Sequence, residues 1–459
     1  MNIKKLSLLA LIAALILAIS GCTGNVPKAP EVTAEPITIT VAGGWEDCRA
    51  IDEVARKFTE KYPNCTVRYE YLQDYNNSLV KRMTGDSPVD VFFTSNIQAD
   101  SPLLPYALNL NGREDLNLTD VFYGLTQNFT FRENGEISDR LYAVPVGADM
   151  RGLFVNKTLL ASLGLTVPAN KASLLNACKV LKENGYMPLQ GNPNDFSQTL
   201  LYPWVCNIIV NSPKEAGVRE AVEKRSAGIS ELFREPFELM YTIVENDYYN
   251  YKHEQDVNGL FVDSADIDYA RYFLNIKKTD SGYEKADDVG VIAFMPSPMS
   301  RTSVMEKARE DYHSNIEYVF IAAPVSDEGG FAYLSPGHGL AINKESPNVD
   351  WGVRFMDFLF QPENSELFAS EFHTIPNTKN AVSYIRKLFD VPDNRISELG
   401  QVTFGYDFYK PITTTLRDIS KGNNPKYMQT AEDGSVSLYP LDYYMNQLEE
   451  SLKSDEQQQ

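Results

Sequence analysis

The sequence predicts an α/β protein built as two domains or as one large bilobed unit. Three observations carry that expectation. Strand and helix patterns alternate through the first sixty residues of the folded part. The chain is 459 residues long, more than a single domain usually holds. Hydrophobic residues make up 43% and aromatic residues 11%, enough to fill a sizeable core.

Residues 37–44 (ITITVAGG) read as a buried strand ending in glycines. A helical pattern follows, with Ile51, Val54, Ala55, Phe58 and Tyr62 on one face, and Pro63-Asn64 stops it. Residues 66–72 alternate as a second strand, with Val67 and Tyr69 inward and Tyr71 competing with Leu72 for the next inside place. A short helix spans about Asp74 to Met83, and residues 89–95 (VDVFFTS) form a third strand, apolar on both faces. Strands buried on both sides and joined by helices form parallel sheets. Further along come a strand at 152–155, a long helical region over roughly 171–275, and a buried strand at 291–295 stopped by Pro296. Strands at 317–326 and 334–343 follow, the second punctuated by glycines, then an amphipathic helix over 350–368 that breaks at Pro362.

Ahead of this lies a leader. Lys4 and Lys5 precede an apolar stretch over residues 6–19, shorter than the roughly 18 to 20 residues of a spanning helix. It ends Ile19-Ser20-Gly21-Cys22, which resembles the lipobox of bacterial lipoproteins. Residues 1–21 are therefore expected to be a signal peptide, with lipid on Cys22. Residues 22–36, with three prolines and little that packs, are expected to be an extended tether.

Formal net charge is −20, and loss of Lys4 and Lys5 makes it −22. That excludes nucleic acid as a partner, since such binding needs Lys and Arg on phosphates. It also excludes a folded surface lying flat on anionic lipid. With Cys22 lipidated, Cys48, Cys65, Cys178 and Cys206 allow two disulfides in three connectivities. The plainer reading is buried free thiols, since Cys48 and Cys178 fall in helical patterns beside Ile51 and Leu181.

No phosphate-binding glycine loop, dinucleotide fingerprint or nucleophile elbow occurs. His253, His313, His338 and His373 are scattered, and no metal set is read. Asp263, Asp266 and Asp268 are spaced a little like a calcium loop but lack its glycine, and read as solvated surface. Acid pairs are too abundant to select or exclude a glycosidase pair. In open α/β sheets ligands sit beyond the carboxyl ends of strands. That marks Gly43-Gly44-Trp45-Glu46 and Thr94-Ser95-Asn96. Trp45 offers a flat apolar face, or else packs on its own lobe at a helix start. Ser95 and Asn96 face a ligand, or else cap a helix.

Several segments occur together and in one order: the lipobox, ITITVAGGW, KFTEKYPN, VDVFF, YAVPVGADMRGLFVNK, AFMPSP, and the run from APVSDEGGFAYLSPGHGLAIN to MDFLFQPENSE. In that order the chain resembles family 1 extracellular solute-binding proteins, the maltose-binding-protein-like capture subunits of ABC importers. Residues 171–290 match that pattern poorly. The resemblance implies two discontinuous α/β lobes of the periplasmic-binding-protein type, joined by a hinge. It divides the chain into 37–145 with 335–375, and 146–334 with 376–459. Crossings are expected near 145–149, 333–337 and 375–377. It implies capture of a carbohydrate, with no chemistry and no cofactor, by a monomer tethered to the extracellular face of the bacterial membrane and delivering to permease subunits.

On that reading the candidates from the first lobe are Trp45, Glu46, Ser95, Asn96, Gly337 and His338. From the second they are Asp149, Asn192, Phe196, Trp204 and Met295. Trp204 also suits a core helix, His338 a solvent loop and Met295 a core gap, while Asp149 suits a brace to Arg151. A non-sugar solute such as a polyamine, an exported lipid-anchored glycan hydrolase, and a surface adhesin or sensor using the same cleft stand as alternatives.

Overall fold

A computed structural model describes residues 35–46, 48–85, 87–95, 97–121, 126, 129–133, 136–191, 196–211, 224–226, 228–249, 271–285, 292–380, 389, 391, 395–398, 406–422 and 428–453. The leader, Cys22, the tether and the Asp263–Asp266–Asp268 cluster lie outside the described residues.

The first lobe is a five-stranded sheet. Strands β1 (Ile37–Gly43), β2 (Cys65–Tyr71) and β3 (Val91–Thr94) are parallel, joined by helices α1 (Arg49–Lys61) and α2 (Tyr75–Thr84). Alternate residues feed two cores. Ile39, Val41, Val91 and Phe93 face one with Phe58 of α1, while Ala42 and Phe92 face the other with Leu79 and Met83 of α2. Beneath the sheet, Asp90 accepts from Thr40 N at 2.7 Å, from Asn348 Nδ2 at 3.3 Å and from the Ser346 hydroxyl. One carboxylate so ties β1, the entry to β3 and a segment more than 250 residues away.

Strand β4 (Val144–Pro145) ends the first passage through this sheet, and one residue later β5 (Gly147–Asn156) opens the second. Ten residues long, β5 is the spine of a seven-stranded sheet. It pairs antiparallel with β7 (Ile292–Pro298), β8 (Tyr318–Ile321), β9 (Ala332–Pro336) and β11 (Ile375–Pro376). Strand β6 (Met187–Leu189) runs parallel to β7, and β12 (Ile396–Glu398) parallel to β9. Strand β10 (Gly339–Ile342) lies back in the first sheet, between β3 and β4. Helices α3 (Lys157–Ser162), α4 (Lys171–Glu183), α5 (Phe196–Asn211), α6 (Arg234–Glu245), α10 (Tyr406–Ser420) and α11 (Leu441–Leu452) supply the large core of the second lobe, and α7 (Thr302–Asp311) packs beyond β7. Helices α8 (Val349–Leu359) and α9 (Pro362–Glu371) return to the first lobe, where Phe355 and Phe358 meet Phe58 at 5.4 and 5.5 Å.

Among the described residues the chain passes between the sheets at three places: at Val146, at Gly337-His338, and between α9 and β11. The three passages touch. Gly337 N donates to Gly147 O at 2.8 Å, Val146 N to His338 O at 3.0 Å, and the buried Asn377 Nδ2 to Pro145 O at 2.6 Å. A Cβ on Gly337 would stand 3.1 Å from the Gly147 carbonyl, and one on Gly147 would stand 3.0 Å from Thr374 Oγ1. Glycine is needed there so that the backbones can approach.

Four expectations are corrected. Residues 334–343 are two strands in different sheets, because the chain leaves one sheet and enters the other at Gly337-His338. Strand β7 is not stopped by Pro296 but runs to Pro298. Its pairing with β6 ends at Phe294, so from there one edge is unpaired and a residue without N–H fits. The region 171–275 is not one helical tract, since β6 interrupts it between α4 and α5. Tyr71 is exposed at the end of β2. Cys48, Cys65, Cys178 and Cys206 are buried and form no disulfide. No helix among the described residues is long and apolar enough to cross a membrane.

The Asn377 contact gives a test of the crossing. Asn377→Ala strands the Pro145 carbonyl in a buried place and is expected to cost about 1–3 kcal/mol in urea unfolding. An unchanged midpoint would remove Asn377 as a clamp of the crossing.

Candidate functional site

A cleft of about 790 Å³ opens between the lobes at these crossings, within the usual range for small-molecule sites. Each wall is built by the end of a strand and the start of a helix.

On the first lobe, β1 ends at Gly43, where a Cβ would collide with the Tyr69 hydroxyl. That hydroxyl donates to Trp45 O at 2.9 Å and accepts from Trp45 N at 3.2 Å, fixing the backbone that carries the indole. The half-buried Trp45 meets Phe93 at 4.9 Å and His338 at 5.1 Å edge-on, and Phe372 at 4.8 Å. Both readings of Trp45 hold in part: its edges pack on its own lobe, and it also lines the cleft. Glu371, the last residue of α9, accepts from Arg49 N at 2.9 Å and from Ala50 N. It supplies the negative charge favoured at the start of α1. The Arg49 side chain makes no hydrogen bond or ion pair with the described residues and lines the cleft.

On the second lobe, Asp149 near the start of β5 accepts from Ser300 N at 3.1 Å and from the Ser300 hydroxyl. Burial pushes its carboxyl above the usual carboxylate range, and the Ser300 bonds pull the other way. Its bonds brace the start of α7, and its side chain makes no ion pair with Arg151 among the described residues. The α7 region then presents Ser300, Ser303, Val304 and Lys307 to the cleft, a spacing that places them along one helix face. His338 sits at the second crossing with its ring open to the cleft, while the walls around it lower its pKa from the ordinary histidine value.

The structure thus brings together Trp45, Ser95, Asp149, Gly337 and His338 around one cleft. Glu46 is exposed beside Trp45 and does not line it. Asn96 and Asn192 lie outside the described residues. Three candidates belong to cores instead. Phe196 is fully buried and stacks on Tyr249 at 3.7 Å. Trp204, 6% exposed, stacks on Phe331 at 5.6 Å inside the core reading of its helix. Met295, 2% exposed, packs with Phe154 and Met305. Apolar side chains serve a core and a sugar face equally well by type, so only burial separates the two. Sequence reasoning missed Arg49, Glu371, Phe372 and the α7 face. The strand-end rule, applied to β7 as it was to β1, would have marked Ser300–Lys307. No group of His, Cys, Asp and Glu among the described residues is arranged for a metal.

Two sheets joined by three crossings among the described residues, with a cleft at the joint, define a bilobed α/β fold. Residues 44–209 match the family model described as bacterial extracellular solute-binding protein, and the two-lobed fold is similar to that of solved sugar-binding proteins. The multiple sugar-binding protein of Streptococcus mutans is 23% identical over 169 residues, 36% of this chain and 38% of that relative, so the match spans well under half of its length. Among solved structures, RafE in complex with raffinose superposes with a TM-score of 0.55 at 14% identity, covering 91% of this chain and 98% of that one. The GacH receptor of Streptomyces glaucescens, solved unliganded and with acarbose, gives 0.56 at 16%, covering 92% and 99%. A sugar transporter from Bacillus licheniformis in complex with stachyose gives 0.52 at 16%, covering 90% and 98%. At these identities the likeness speaks for the fold.

The His338 environment gives a test. Its folded pKa lies below the unfolded value, so the unfolded chain takes up a proton first on acidification. The contribution of this group is present above about pH 6.5 and is lost as pH falls below it. The melting temperature of the native chain should fall more steeply from about pH 7.5 to 5.5 than that of His338→Gln. Parallel slopes would deny His338 this role.

Proposed function

We propose that this protein captures an oligosaccharide in the inter-lobe cleft and hands it unaltered to a permease on the bacterial membrane. The observation that carries this reading is the half-buried Trp45 face beside polar side chains from both lobes, at a three-stranded hinge. Sugars need that combination, with aromatic faces for their C–H surfaces and fixed polar groups for their hydroxyls. The solved relatives holding raffinose, stachyose and acarbose support it. A solute touching both walls stabilises the closed arrangement by its differential affinity for it. Each net hydrogen bond contributes about 1 kcal/mol, and an unpaired buried group costs more, so polar placement sets selectivity.

Our division of the lobes is 37–145 with 335–375, and 146–334 with 376–459. The binding set is Trp45, Ser95, Gly337 and His338, with Asp149 bracing the cleft wall through Ser300. Cys22 carries the lipid, residues 22–36 the tether, and the chain works as an extracellular monomer without cofactor. The hydrolase reading loses support because the two carboxylates that line the cleft among the described residues, Asp149 and Glu371, are held by backbone amides.

Thermal shift with a panel of neutral and acidic oligosaccharides tests capture. A solute at about a hundred times its Kd stabilises the folded chain by about 2.7 kcal/mol, a rise of several degrees. Trp45→Ala should weaken that solute by about 1–2 kcal/mol in calorimetry, read at a temperature where the variant is still folded, since losing the packing on Phe93 and Phe372 also lowers the unliganded melting point. A silent panel alongside binding to polymeric glycans, or release of an altered sugar, would overturn the proposal.

A further inference from the structure

We propose that the captured oligosaccharide is acidic, with a carboxylate held between Arg49 of the first lobe and Lys307 of the second. This inference rests on the capture function proposed above. The charges of the cleft run against those of the molecule. The chain carries a formal −20, yet among the described residues the two carboxylates lining the cleft are already engaged. Glu371 accepts from the Arg49 and Ala50 amides, and Asp149 from the amide and hydroxyl of Ser300. Neither is aimed at a guest.

The cations are placed differently. Arg49, Arg301 and Lys307 all line the cleft. The Arg49 guanidinium, with five donors, pairs with nothing among the described residues. The Lys307 ammonium lies 3.3 Å from Asp311, one turn along the same helix. That pair is open to water, and such pairs hold weakly. A guanidinium matches a carboxylate in both geometry and charge. Because Arg49 and Lys307 come from different lobes, an anion between them gains most when the lobes close. A neutral sugar takes hydrogen bonds from these cations but no charge pairing, and a polyamine is repelled by both.

A second cavity of about 800 Å³ adjoins the cleft at its rim and shares Arg49, Ser303, Lys307 and Glu371. It also holds Glu306 and Glu310. Glu306 is taken by Arg309 and Tyr318, while Glu310 is exposed and opposes an anion there. The carboxylate therefore sits on the inner side, toward Trp45.

The test compares oligogalacturonates and oligoglucuronates of two to four units with neutral oligosaccharides of the same linkage, by thermal shift and calorimetry on the tag-free mature chain. At least one acidic sugar should raise the melting temperature where its neutral counterpart does not, and raising salt from about 20 to 200 mM should weaken it. Arg49→Gln and Lys307→Gln should each lower acidic-sugar affinity by about tenfold or more. Both variants should keep the unliganded melting point, since neither side chain is tied into the fold. Equal or tighter binding of the neutral counterpart would overturn the acidic assignment and leave capture standing. So would an equal loss for acidic and neutral sugars in Arg49→Gln. Silence from both series would overturn the capture function with it.

Discussion

The close approach of three backbone crossings is the constraint on which the rest of the molecule depends. Gly337 donates to Gly147, Val146 to His338, and Asn377 to Pro145. These contacts join the lobes without a bulky side chain, so the cleft can lie directly over the joint. Joints made of a few backbone segments are the usual site of hinge closure. The same economy explains why β5 begins at the joint and runs ten residues into the second sheet. One strand both crosses between the lobes and supports most of the second one.

The two walls share a device. On each, a carboxylate from a distant part of the chain occupies the start of a helix that borders the cleft: Glu371 on α1 and Asp149 ahead of α7. This fixes helix position relative to the crossing, since Glu371 ends α9 just before the third passage and Asp149 follows just after the first. It also removes the anion-binding capacity of those helix starts and leaves the work of recognition to side chains. Trp45 is held by a comparable arrangement, with the Tyr69 hydroxyl clamping both its N–H and its carbonyl.

Much of the α/β frame was legible in the sequence because it rests on local periodicity. The first parallel strands, α1 and the break at Pro362 follow from alternation, helical spacing and the shape of proline. The strand over 334–343 was misread because a paired strand on either side of Gly337-His338 looks the same in one dimension. Pro296 misled because its tolerance depends on which edge of β7 is unpaired, a property of neighbours and not of the residue. The cleft was legible where strand ends mark it, at Trp45 and Ser95. Arg49 and Glu371 were not, since their meeting spans 322 residues. Phe196, Trp204 and Met295 failed as candidates for a further reason: packing a core and facing a sugar demand the same surface chemistry.

The four thiols carry a consequence for how the molecule matures. Cys48, Cys65, Cys178 and Cys206 are all buried and unlinked, and burial raises the pKa of Cys65 to about 11 and those of Cys178 and Cys206 higher still. Thiolate is the species that oxidises or exchanges. In the folded chain Cys65, Cys178 and Cys206 therefore hold little thiolate and react slowly with oxidants and disulfides. Among the described residues the fold therefore rests on no disulfide, and these buried thiols offer no ready route to crosslinking between molecules.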